Sequence, residues 1–205
     1  MRQITLEELG RIAANSREDL WCAARSAGRE HPLIILHWSA GWYSDNAYSD
    51  DYHIQIGEHG EIWLSTDDLS EVLAHTENLN RGSIGVSMCC CAFANTNDLG
   101  DAPPTNDQIE TMAQIIAVLC SNLWLTVRKD IVATHGEIAD DPEYYDDEDM
   151  YGPNNECWRW DLQFLGTPES PYYTTDYDDP HTGGNVLRRK ALEYQHQWNQ
   201  EGKSV

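Results

Sequence analysis

Two histidines stand in the same local setting. His37 closes the apolar run LIIL, His135 closes IVAT, and a more polar stretch follows each at once. Side chains at strand ends on one edge of a sheet can converge on a point, and α/β folds build sites in this way. Two neutral imidazoles brought together call for a metal. Zn²⁺ on three protein ligands, with a fourth position open, is the commonest catalytic arrangement. A third ligand is then needed from Asp, Glu, Cys or His. His37 and His135 are 98 residues apart, so spacing alone does not separate a metal site from two ordinary hydrogen-bonded histidines.

The elements that must position them can be read from local pattern. Thr5-Leu-Glu-Glu8 and Thr105-Asn-Asp-Gln108 are capping boxes, in which the Thr hydroxyl and the Glu or Gln side chain satisfy each other's backbone donors. Leu6, Leu9, Ile12, Ala13, Leu20 and Ala23 recur at helical spacing behind the first, predicting a helix to about Gly28, broken near Asn15-Ser16. Ile109, Met112, Ala113, Ile116, Ala117, Leu119 and Cys120 make one apolar face behind the second. Short β-branched runs at 33–36, 83–93 and 131–134 predict buried strands. Tyr52 to Ile56 and Glu61 to Leu64 flank a Gly57-Glu-His-Gly60 turn and predict a hairpin. Residues 65–82 read as loop with at most one short helix, and 185–200 as a terminal helix. Residues 139–156 hold eight acids and three Tyr, and read as a surface insertion or as a lid over a cleft. Strands alternating with helices predict one α/β domain over residues 1–205.

Composition excludes several partners. Thirteen Lys and Arg stand against thirty-five Asp and Glu, a net charge of −22. Nucleic-acid binding needs a basic face that so few cations do not build, and an anionic membrane surface repels such a chain. No apolar run approaches the ~20 residues of a membrane-spanning helix. The first residues carry Glu7 and Glu8 where a secretory signal needs an apolar core. That predicts a cytoplasmic protein, with reduced and buried thiols at Cys22, Cys89, Cys90, Cys91, Cys120 and Cys157.

Six stretches in order resemble the zinc-dependent N-acetylmuramoyl-L-alanine amidases of the amidase-2 group, which includes phage endolysins, muropeptide-recycling amidases and peptidoglycan-recognition proteins. They are IILHWSAGWY, DDYHIQIGEHGEIWLS, AHTENLNRGSIGVSM, PPTNDQIETMAQIIAVL, ATHGEIAD and CWRWDLQFL, together covering about residues 30–165. The resemblance implies a mixed central sheet flanked by helices, Zn²⁺ on His37, His135 and Asp161, and cleavage of the amide joining N-acetylmuramic acid to L-alanine. It implies Tyr52 as general acid/base, because the strand position where other members carry Glu is Ser87 here. Arg159 takes the place of a family Lys near the oxyanion, where it can stabilise charge but not give up a proton. Trp38, His75 and Asn80 fit positions lining the muropeptide groove, and His53 reads as structural. The segment from His135 to Asp161 is longer than the family's, which leaves Cys157 as the rival third ligand; the offset Arg159-x-Asp161 favours Asp161. An enzyme of this kind fits an endolysin released to the wall at host lysis, or a cytoplasmic recycling amidase. The reading from another class is a peptidoglycan-binding module that does not cut.

Overall fold

The computed structural model describes residues 1–44, 50–140 and 160–203. Most of the acidic insertion lies outside these residues, with Cys157 and Arg159. In chain order the elements are β1 (Arg2–Ile4), α1 (Leu6–Ser26), β2 (Leu33–Trp38), β3 (Ile54–Ile56), β4 (Ile62–Leu64), β5 (Ser83–Met88), α2 (Asn106–Leu123), β6 (Val132–Thr134), α3 (His135–Ala139) and α4 (Gly183–Glu201). The strands form one mixed sheet in the order β1-β4-β3-β5-β2-β6. The β1–β4 and β4–β3 pairs are antiparallel, and β3–β5, β5–β2 and β2–β6 are parallel. The α/β class and the mixed sheet flanked by helices are therefore as expected.

Alternation along the strands gives the sheet two unlike faces. Ile34, Leu36, Ile54, Ile56, Ile84, Val86 and Val132 point to one side, where they join a single core with residues of α1, α2 and α4. His37 lies on the other side, in register with Ser87, Gln55 and Trp63 on successive strands. That side carries only a small apolar cluster of Leu33, Ile35, Leu79, Ala133 and Ile138. It is covered by the short helix α3, through Ile138, and by the part of the 65–82 loop that carries His75 and Leu79. One face thus holds the fold together while the other is left polar enough to carry a site.

Of the two predicted capping boxes, the second forms in full and the first by half: Thr5 Oγ1 accepts from Glu8 N–H, but the Glu8 carboxylate pairs with Arg2. Thr105 accepts from Gln108 N–H, and the Gln108 carboxamide accepts from Thr105 N–H. The same carboxamide, fully buried, donates to the carbonyls of Ile56 and Cys89, tying α2 to the ends of β3 and β5. The predicted break in α1 does not occur. Ser16 is buried, and its hydroxyl accepts from Leu69 N–H, so a residue that disfavours helix interiors is kept there by a tertiary bond. The second buried strand ends at Met88, so the Cys89–Cys91 triplet lies beyond it, with Cys91 in the left-handed region at φ 70°. Those three cysteines and Cys120 are buried thiols; Cys22 is a thiol exposed on α1, contrary to the expectation. Strand β1 has no signal in the sequence, because three residues beside a helix cap carry no periodicity of their own.

Candidate metal centre

His37 is the fifth residue of β2 and is fully buried. His135 is not the end of a strand leading into a loop, as the pattern suggested. It is the first residue of α3, capped by Thr134. The signal was present in the sequence, since Thr134-His-Gly-Glu137 has the same capping-box spacing as the two helices already recognised. Thr134 Oγ1 accepts from Glu137 N–H at 3.0 Å, and the Glu137 carboxylate accepts from Thr134 N–H at 2.9 Å.

The long C-terminal segment joins the second histidine to the third ligand. Arg188 of α4 makes a bidentate ion pair with Glu137, at 2.7 and 2.8 Å, and also donates to the Val132 carbonyl. Gly184 lets the start of α4 come this close, because a Cβ there would lie 2.7 Å from the Glu137 carboxylate. Tyr177 donates to the Gly136 carbonyl and accepts from the Gln163 carboxamide at 2.6 Å, tying α3 to the turn that follows Asp161.

His37, His135 and Asp161 offer ligand atoms that all lie within 4.8 Å of one another, and all three residues are buried. Asp161 Oδ2 is 3.4 Å from His37 Nδ1 and 3.7 Å from His135 Nδ1. Burial works to raise the Asp161 pKa, but hydrogen bonds and charge from His135 and His37 hold it well below the usual carboxylate range. Two imidazole nitrogens and an ionised carboxylate facing one point are the donor set of a catalytic zinc site, and they leave room for a fourth ligand. The residues present therefore fit the ion that the resemblance implies.

The site opens to a cleft of about 350 Å³ whose lining includes Trp38, Asp51, Tyr52, His75, His135 and Asp161. Tyr52 is half-buried, with its ring centroid 5.0 Å from that of His37. Trp38 lines the cleft but is otherwise a core residue. His75 is buried behind His37, with its Nδ1 3.2 Å from His37 Nε2. Burial first, then the facing imidazoles His37, His53 and His135, push the His75 pKa well below the ordinary histidine value. Asn80 does not line this cleft; its Oδ1 accepts from the backbone N–H groups of His75 and Thr76 and shapes the covering loop. His53 is structural. It accepts from Gly85 N–H and donates to the Glu71 carbonyl. Burial again lowers its pKa.

A buried two-histidine, one-carboxylate group in an α/β fold, opening into a cleft, is a candidate metal centre. The family model for Amidase_2, N-acetylmuramoyl-L-alanine amidase, matches residues 27–149, more than half of the chain. The chain belongs to this family, and with it to the peptidoglycan amidases. The match ends before Asp161, so the place of Asp161 as candidate third ligand rests on geometry alone, and its rival Cys157 lies outside the described residues. Neither the curated proteins nor the solved structures gave a match.

Proposed function

We propose that this protein is a zinc-dependent N-acetylmuramoyl-L-alanine amidase that hydrolyses the amide between N-acetylmuramic acid and L-alanine. The observation that carries the reading is the convergence of His37, His135 and Asp161 beside Tyr52 in one cleft. Bound by those three side chains, zinc would polarise the scissile carbonyl and bring the pKa of the attacking water down toward ~7.

The remaining chemistry falls to the chain. A proton must pass from the attacking water to the leaving amine of L-alanine, which needs a general acid/base within reach. Tyr52 lines the cleft beside His37 and takes that role. Ser87, paired with His37 in the sheet, is buried and has no carboxylate to offer in its place. Arg159, outside the described residues, is proposed to stabilise the oxyanion as a fixed charge. Trp38 contributes an edge to the lining of the cleft that would receive the substrate.

The chain fits a phage or prophage endolysin acting on the wall at lysis. A second reading, recycling of soluble muropeptides in the cytoplasm, is favoured by the net charge of −22, which is repelled by anionic wall polymers. No helix among the described residues is long and apolar enough to cross a membrane.

One preparation tests the core reading. Metal content and lytic activity are measured on purified protein with and without a chelator. One zinc per chain, with chelator-sensitive appearance of L-alanine amino termini, is the expected result. Zinc without cleavage would point to a binding module or another amide substrate. An absence of zinc would overturn the proposal.

A further inference from the structure

Behind the metal centre lies a hydrogen-bonded chain whose donors and acceptors can be assigned from one end. It starts at Ser83, the first residue of β5, which is fully buried. The Ser83 hydroxyl faces two carbonyl oxygens, Leu79 O at 2.6 Å and Asn80 O at 3.1 Å. Carbonyl oxygens only accept, so the single hydroxyl proton is committed to them. Ser83 Oγ is then left with lone pairs toward His75 Nε2, 3.2 Å away. That contact is favourable only if Nε2 carries the proton.

A neutral imidazole protonated at Nε2 has a bare Nδ1. His75 Nδ1 faces His37 Nε2 at 3.2 Å and Thr76 Oγ1 at 3.1 Å. A bare His37 Nε2 would set two lone pairs against each other across 3.2 Å, even with the Thr76 hydroxyl donating to one of the two nitrogens, so His37 is assigned a proton at Nε2. His37 thereby keeps a proton on Nε2, on the side away from Asp161, and Nδ1, 3.4 Å from Asp161 Oδ2, is the nitrogen left to face the metal centre. The opposite polarity would set a bare His75 Nε2 against the lone pairs of Ser83 and a His37 Nδ1 proton into the metal centre.

Gly85 makes the chain possible. His75 lies on the sheet between Ser83 and His37, and a Cβ at Gly85 would come 2.6 Å from His75 Cγ. Such a contact with a ring atom next to the backbone cannot be relieved by turning a flexible tip, so any side chain at 85 displaces the ring.

We propose that His75 and Ser83 are positioning residues that keep a proton on His37 Nε2, so that Nδ1 is the nitrogen left to face Asp161 and a metal ion. The consequence for zinc rests on the function proposed above, while the proton positions do not. Among the described residues His135 has no counterpart to this relay: its Nε2 is buried without a hydrogen-bond partner. The two histidines are thus oriented by different means, His37 by a side-chain chain and His135 by its place in the first turn of α3.

The experiment is ¹⁵N–¹H correlation of the histidine rings in the full chain, zinc-free and zinc-loaded, combined with zinc competition against a chelator. In the parent protein both His37 and His75 should be protonated at Nε2 before zinc is added. Ser83→Ala removes the acceptor for His75 Nε2–H; the ring signals should shift toward a mixture of tautomers. Its zinc affinity should fall ~10–100-fold, the usual loss when the partner of a ligating histidine is removed. His75→Leu should lose as much, and His75→Asn, whose amide oxygen can replace Nδ1 as acceptor, should recover most of it. Circular dichroism identifies any variant that fails to fold, and Ser83→Ala decides the matter if His75→Leu is lost in this way. A His37 whose Nε2 carries no proton in the zinc-free parent would overturn the proposal. So would a Ser83→Ala chain with unchanged tautomers and unchanged zinc affinity. If the parent binds no zinc, the proposed function fails, and the zinc-free ring assignments still decide the relay.

Discussion

Replacing Arg188 by Met should unfold this protein more readily and loosen its metal site together. The guanidinium makes two bonds to Glu137, at 2.7 and 2.8 Å, one to the Val132 carbonyl at 2.8 Å and one to Asn185 Oδ1 at 2.6 Å. The side chains of the pair are 7% and 1% exposed, so solvent does little to screen either charge. Met keeps most of the packing volume and removes the charge, leaving an ionised Glu137 uncompensated in the interior. Breaking a buried pair in this way costs ~3–5 kcal/mol. For a chain of this length each kcal/mol moves Tm by about 2–4 °C, so the melting point should fall by roughly 6–20 °C. Urea denaturation should show a lower midpoint with an unchanged slope. Glu137 also closes the capping box of α3, whose first residue is His135, so zinc affinity should fall with stability. The double variant Glu137→Leu/Arg188→Met removes both charges, and apolar replacement of a whole buried pair is often close to neutral. It should therefore be more stable than the single variant. A loss under ~1 kcal/mol for Arg188→Met, or a double variant no better than the single one, would refute the idea that this pair braces the site.

Four other outcomes are expected. Asp161→Ala should abolish zinc binding in a metal-content assay while Cys157→Ala leaves it intact; the reverse result would move the third ligand to Cys157. Tyr52→Phe should lower turnover by ~10²–10⁴ with zinc retained, the range of a lost general acid/base; unchanged turnover would remove Tyr52 from the mechanism. Gly85→Ala should cost ~1–3 kcal/mol by overpacking and weaken zinc binding through the displaced His75 ring, measured by denaturation and chelator competition. Dialysis against a chelator should stop cleavage and added zinc should restore it; activity that survives complete removal would exclude a metal mechanism.

Much of the architecture was legible because the signals are local. Thr5 and Thr105 announce their helices through caps that involve only neighbouring residues. The runs around Ile34 and Val132 are apolar because both are buried strands of the sheet. Local rules failed where a distant group intervened. Ser16 remains in a helix because Leu69 bonds to it, and His75 lies behind a ligand because Gly85 leaves room for its ring. The start of α3 carries a double signal, since a strand residue and a cap residue can be the same Thr134.

The sequence by itself determined which residues have metal-ligating chemistry and which short elements carry them, because donor type and hydrophobic period are properties of the local chain. It also carried the family resemblance, through His37 and His135 in their surrounding motifs. Only the tertiary structure decided that the ligands meet. Placing β2 between β5 and β6 puts His37 beside the strand that leads into His135. Docking α4 against Glu137, with Tyr177 bridging Gly136 and Gln163, brings Asp161 to the same point from beyond the acidic insertion. The direction in which each imidazole presents its lone pair is likewise tertiary, because it depends on a hydroxyl, a second imidazole and two carbonyls that no local pattern places together.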